Sequence, residues 1–141
     1  MLQLNYPNFS YKIKHANGQE MIFDEIRKRW LKLTPEEWVR QNMIQYLIIQ
    51  LQYPAALIAV EKEIKLGDLK KRCDVVVYKM DKPWMIIECK AMHVTVDEKV
   101  LKQILNYNMT LKVPFIVVTN GNATWVANTE SVAWLNDFPN W

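Results

Sequence analysis

The sequence predicts an α/β fold with a mixed central sheet flanked by helices, in the order αβββαβ. Three observations carry this. Thr34-Pro35-Glu36-Glu37 is a strong helix start. Three short apolar runs follow, separated by the tight-turn residues Gly67-Asp68 and Asp81-Lys82-Pro83. A second helical segment then leads to a fourth apolar run, which makes a βαβ unit with a right-handed crossover. The chain has 141 residues and half of them are hydrophobic. That is enough to bury one core, so the expectation is a single domain over residues 1–141.

The elements follow in order. Asn17-Gly18 between Tyr11–His15 and Gln19–Phe23 predicts an N-terminal β-hairpin with a type I′ turn. Arg27–Trp30 reads as a basic patch leading into a helix. In the first long helix Thr34 is the cap and Pro35 the first helical residue, and Glu37 is placed to complete a capping box. Val39, Met43, Tyr46, Leu47 and Leu51 then recur near the helical period, and Pro54 marks the end. Ile58–Leu66, Arg72–Lys79 and Trp84–Ala91 predict three antiparallel strands, the middle one carrying the run Val75-Val76-Val77-Tyr78. Thr95 with Glu98 suggests a second capping box, opening a helix that runs to about Thr110. Val113–Thr119 and Ala123–Ala127 predict two more strands about Asn120-Gly121. The tail, Glu130–Trp141, suggests a short helix.

Composition narrows the chemistry. With only Gly18, Gly67 and Gly121 present, neither a P-loop nor a GxGxxG turn can be written. Cys73 and Cys89 form no CxxC, which removes support for structural zinc. No signal-peptide pattern precedes them, so the expectation is reduced thiols and a cytoplasmic protein. Met43–Val60 is broken by Gln45, Gln50, Gln52 and Pro54 and does not read as a membrane span. A net charge of +3 permits a nucleic-acid partner without requiring one. Trp125, Trp134 and Trp141 suggest an interface.

The chemistry begins where a buried strand turns polar. Met85-Ile86-Ile87 is followed by Glu88-Cys89-Lys90, and strand alternation puts Glu88 and Lys90 on one face. By themselves they would read as an ion pair at a strand end. Counting back through the turn near Asp81 places Asp74 level with Glu88 on the preceding strand. Two neighbouring carboxylates repel, and a divalent cation resolves the repulsion. Magnesium is typically held by one or two carboxylates with water and phosphate. A lysine beside it can stabilise developing negative charge, a combination suited to phosphodiester hydrolysis.

Asp74, then Glu88-Cys89-Lys90, resembles the motif of the PD-(D/E)xK nucleases, and the αβββαβ order matches the core of those restriction-endonuclease-like folds. Cys73 stands where the motif has proline. Leu33-Thr34-Pro35-Glu36-Glu37-Trp38-Val39-Arg40-Gln41 resembles the first-helix segment of the N-terminal domains of type I restriction-enzyme R subunits. Gln103-Ile104-Leu105-Asn106-Tyr107 resembles their QxxxY motif. The likeness spans about Ile22 to Asn120.

The resemblance implies a deoxyribonuclease dependent on Mg2+, with Mn2+ as a substitute. It makes Asp74, Glu88 and the backbone carbonyl of Cys89 the metal ligands, and Lys90 the catalytic lysine. It brings Glu37 to the same site, although capping alone would account for that residue. Gln103 and Tyr107, four apart on one helix face, would orient Lys90 or contact phosphate. An ordinary amphipathic helix edge is the other reading of that pair. Arg40 and Gln41 are further candidates, and Lys70-Lys71-Arg72 could steer a phosphate backbone. DNA is the expected partner and a membrane is not. A homodimer would suit double-strand cleavage. The motor of R subunits is missing from these residues, which leaves room for a motor or methyltransferase partner chain. The alternative is a non-catalytic or partner-dependent nucleic-acid-binding module of the same fold.

Overall fold

The computed structural model describes Met1–Trp141. Its strands form two sheets. A three-stranded antiparallel sheet takes β1 (Ile13–Ala16), β2 (Gln19–Asp24) and β3 (Arg29–Lys32). The larger sheet takes β4 (Ile58–Leu66), β5 (Leu69–Lys79), β6 (Lys82–Cys89), β7 (Phe115–Thr119), β8 (Thr124–Asn128) and β9 (Ala133–Leu135), in that spatial order. Two helices, α1 (Pro35–Gln45) and α2 (Glu98–Met109), accompany them. The sheet is mixed, because β6 and β7 are parallel across the α2 crossover and every other pair is antiparallel. The predicted α/β class and its αβββαβ order are what the chain adopts. No helix is long and apolar enough to cross a membrane.

Four local predictions are corrected. Arg27–Trp30 does not lead into a helix. The Asp24 carboxylate accepts the backbone N–H groups of Ile26 and Arg27, Lys28 takes a left-handed φ of 55°, and the chain turns back as β3. The N-terminal hairpin is therefore a three-stranded meander. The cap of α2 is Asp97, whose side chain accepts the Val100 N–H at 2.8 Å, and Thr95 lies outside the helix. The tail forms no helix. Ala133–Leu135 pairs with β8 after a turn in which Asn128 accepts the N–H groups of Glu130 and Ser131.

Helix α1 starts as its sequence dictates, with Thr34 accepting the Glu37 N–H at 3.0 Å. It continues into a wide π-turn over Tyr46–Gln50, closed by Leu51 N–H on the Tyr46 carbonyl. Its inward residues Val39, Met43, Ile44 and Leu47 pack with Val75, Val77, Met85, Ile87 and Val117 in the larger core. A smaller core holds Ile64, Cys73, Val76, Ile86, Leu111 and Val113. Val75 to Val77 and Met85 to Ile87 thus alternate between two cores, which is why both runs are continuously apolar.

That alternation breaks at one place. Val60 and Val75 pack on the larger core, yet Ile64 and Cys73, which simple alternation would put beside them, lie in the smaller one. Between them are Glu61 and Asp74, which fall between the ladder pairs Val60/Val75 and Lys62/Cys73 and are not themselves paired in it. Glu61 has φ 50°, a left-handed conformation unusual for a residue with a Cβ in a strand. The strand pair changes face here, and the candidate site begins at this point.

Candidate active site

Strand β6 runs parallel to β7 up to Cys89 and Thr119, where the Lys90 N–H still bonds to the Thr119 carbonyl at 2.8 Å. The β5–β6 ladder stops earlier, at Val75 and Ile87. Beyond it the Cys89 N–H is donated at 2.8 Å to the Asp74 carboxylate rather than to a backbone carbonyl. Asp74 is thereby held level with Glu88, as counting through the turn predicts. A bulge at Val77/Tyr78 contributes to that alignment.

Two sets of groups meet at this strand end. On the α2 side, Glu88, Lys90, Gln103 and Tyr107 line one cleft of about 300 Å³ together with Lys71. Lys71 pairs with Glu88 and donates at 2.8 Å to the amide oxygen of Asn108. Its ammonium also lies 5.3 Å from the centre of the Tyr107 ring. Burial and the neighbouring Asp74 charge push the Glu88 carboxyl above its ordinary value, and Lys71 offsets only part of this.

On the α1 side, Asp74 accepts Arg40 Nη1 at 3.2 Å. Arg40 is buried, and its Nε donates to Glu37 at 2.8 Å. Burial would lower the Arg40 pKa, but Glu37 and Asp74 outweigh it and raise it. Arg27 donates to Glu37 at 2.8 Å and to Asp24 at 2.6 Å, and Gln41 donates to Asp24 at 3.0 Å. Glu61 lies within ion-pair distance of Arg40, Arg27 and Arg72. A continuous charged chain thus runs from β2 through α1 to Asp74.

The sequence candidates therefore fall into two groups. Glu88, Lys90, Gln103 and Tyr107 share the open cleft. Glu37 and Arg40 are buried beside Asp74 on the other side, where the Glu37 carboxylate reaches the site through Arg40. It does not bond back to the cap of its own helix. The Gln41 side chain turns to Asp24. The Cys73 and Cys89 thiols are buried, one in each core, and burial pushes Cys73 up to about 11 and Cys89 well above its ordinary value. Neither serves as a nucleophile in this state. His15 and His93 are exposed and outside the cluster.

Sequence reasoning missed Glu61, Asn108 and the part played by Arg27. Glu61 was within reach. The same counting that sets Asp74 against Glu88 across one turn sets it against Glu61 across Gly67-Asp68. Asn108 follows Tyr107 and is fully buried in a helix, a polar residue with no local reason to be there.

The donor set can be weighed against magnesium. No group of three or more His, Cys, Asp or Glu side chains is placed to hold a metal ion. Magnesium does not need such a cage, since one or two carboxylates with water and substrate phosphate suffice. Asp74 and Glu88 supply hard oxygen donors, and burial, with the Asp74 charge adding to it, raises the Glu88 carboxyl. Each draws a cationic side chain, Arg40 to Asp74 and Lys71 to Glu88. The residues fit a hydrated divalent cation.

A sequence model of the family described as type I restriction enzyme R protein N terminus (HSDR_N) matches residues 35–139. The chain belongs to this family. No curated protein matches the sequence. The matched span contains every candidate from Glu37 to Tyr107. Strands β1 to β3, with Asp24 and Arg27, lie outside it. Within this R-protein N-terminal domain the candidate site is therefore braced from a part of the chain that the family model does not describe.

Proposed function

We propose that the chain is a metal-dependent deoxyribonuclease that hydrolyses phosphodiester bonds. The observation that carries the reading is the convergence at one strand end of Asp74, Glu88 and Lys90, with Gln103 and Tyr107 in the same cleft as Glu88 and Lys90.

Asp74 and Glu88 would hold magnesium, joined by the backbone carbonyl of Cys89. When bound there, magnesium supplies charge neutralisation for the phosphate and a more acidic water. The remaining work falls to the chain's own groups. Lys90 presents an ammonium to the cleft and stabilises negative charge as it develops on the phosphate. Gln103 and Tyr107 sit one turn apart on α2, where an amide and a phenol can orient Lys90 or a phosphate oxygen. Arg40, fixed by Glu37, sets the position of Asp74. DNA is the substrate that family membership supports, and a motor or methyltransferase chain is the partner it suggests.

Cleavage of supercoiled and linear DNA tests the reading, with magnesium, manganese or chelator, and with Lys90→Ala beside the wild type. The expected result is metal-dependent cleavage that falls by about a hundredfold or more in Lys90→Ala, with no change in melting temperature. Equal cleavage by both proteins would remove Lys90 from the mechanism.

One observation favours a second reading. Arg40 and Lys71 already neutralise Asp74 and Glu88, so the cluster is electrostatically complete as ion pairs. A binding module would look like this. DNA binding without cleavage under any metal, alone or with a partner chain, would select it.

A further inference from the structure

The N-terminal sheet has two unlike faces. Ile22 and Asp24 of β2 are fully buried against the rest of the molecule. Strand alternation therefore turns Met21 and Phe23 outward. The register places Lys14 beside Met21 on one side, and Lys32 beside Met21 and Trp30 beside Phe23 on the other. Lys12 reaches the same face, its ammonium 5.4 Å from the centre of the Phe23 ring. The Lys14 ammonium lies 4.3 Å from the centre of the Trp30 ring. Phe23 and Trp30 meet edge to face at 5.4 Å.

This face carries three exposed lysines and no carboxylate. None of the three is in an ion pair, whereas Lys28 in the adjoining turn pairs with Glu25. We propose that the outer face of β1 to β3 is a docking surface for the phosphate backbone of duplex DNA. The identity of the polyanion rests on reading the chain as a DNA-cleaving domain. The surface itself rests on the lysines.

The chemistry selects backbone over base. Lysine is a point charge that meets phosphate, and the face has no arginine to read a guanine edge. Single strands bind by stacking bases on free aromatic faces. Here lysine ammonium groups already lie over both rings, so the aromatics serve to hold the lysines. Ammonium groups pinned in this way lose less side-chain entropy when a phosphate arrives. The opposite face of the same sheet is tied to Asp74 through Asp24, Arg27, Glu37 and Arg40. A duplex held on the outer face is therefore held in a fixed relation to the cleft.

The test is anisotropy of a labelled duplex across a salt titration, with chelator present so that nothing is cut. The triple variant Lys12→Gln/Lys14→Gln/Lys32→Gln is compared with wild type. A charge-matched control, Lys65→Gln/Lys82→Gln/Lys112→Gln, removes three lysines around a different groove. The sheet variant should bind about tenfold more weakly, and its salt slope should fall by about 0.9 for each lysine that meets a phosphate. The control should keep a wild-type slope. Equal loss in both variants would show that only net charge matters and would overturn the proposal. So would no loss in the sheet variant, no binding by the wild type, or a larger loss on a labelled single strand than on the duplex. If Lys90→Ala loses cleavage while the sheet variant binds normally, the nuclease reading stands and this surface alone falls.

Discussion

Asp24 is fully buried, and four donors converge on its carboxylate: the N–H groups of Ile26 and Arg27, the Arg27 guanidinium and the Gln41 amide. Burial raises its pKa, but these hydrogen bonds and the Arg27 charge outweigh it and hold the carboxyl below the ordinary value of 3.8. Its stabilising contribution is therefore complete above about pH 4 and lost as pH falls through the lower folded value. Asp24→Asn should cost about 3 kcal/mol at neutral pH. The gap from wild type should narrow in urea melts below pH 4, because both proteins then lack the charge. Glu61 poses the reverse problem. Its left-handed backbone costs on the order of 1–2 kcal/mol, and its part-exposed ion pairs return at most about 1 kcal/mol. Glu61→Gly should leave stability within about 1 kcal/mol of wild type, whereas Glu61→Val, which adds branching at the same φ, should be clearly destabilising in the same melts. The position of Glu61 opposite Asp74 was legible by counting through Gly67-Asp68. Its conformation was not, because nothing local in Val60-Glu61-Lys62 asks for a positive φ. The demand comes from the change of face that brings Asp74 to Arg40.

Where local chemistry and tertiary packing agree, the elements were legible. Thr34 caps α1 as its sequence says, and Ile58–Leu66 is a strand with the predicted bounds. Thr34→Ala should cost about 1 kcal/mol, and Thr34→Ser should cost only a fraction of that, since the hydroxyl acceptor for the Glu37 N–H remains. A larger loss in Thr34→Ala would mean that the cap also governs how Glu37 meets Arg27 and Arg40. The same local logic misled at Thr95, where the sequence offers a capping box but Asp97 offers a carboxylate two residues closer to the helix. It misled again at Arg27–Trp30. There the Asp24 carboxylate bends the chain, and cross-strand packing of Phe23 on Trp30 holds it as a strand, neither of which a helical reading of basic residues can anticipate. The tail failed for a related reason. Ala133–Leu135 is a strand only because the edge of β8 is there to pair with it.

At the scale of the whole molecule, the two sheets share no ladder. They meet through Ile26, which packs against the larger core, and through the charged chain from Asp24 to Asp74, in which Arg27 is the common member. Its guanidinium reaches Asp24, Glu37 and Glu61 at once. Replacing it with methionine keeps most of the apolar stem and removes all three pairings. Three carboxylates then lose a partner, two of them in nearly dry surroundings, and a cost of about 3 kcal/mol is expected. The informative readout is where the loosening goes. Stability in a folded protein is distributed among units that open separately, and amide exchange maps them. If the N-terminal sheet is merely attached, Arg27→Met should speed exchange in β2 and β3 and stop there. If the chain of charges is a mechanical link, Arg40 must redistribute between Glu37 and Asp74. The Cys89 N–H, which bonds to Asp74 on the far side of α1, should then lose protection as well. The amides of β7 and β8 should stay slow in both cases, because their ladder does not involve the charged chain. The structure favours the linked outcome. Arg40 is shared by Glu37, Glu61 and Asp74, the first two of which also lose Arg27, and the bond it would disturb is the one that holds Asp74 beside Glu88.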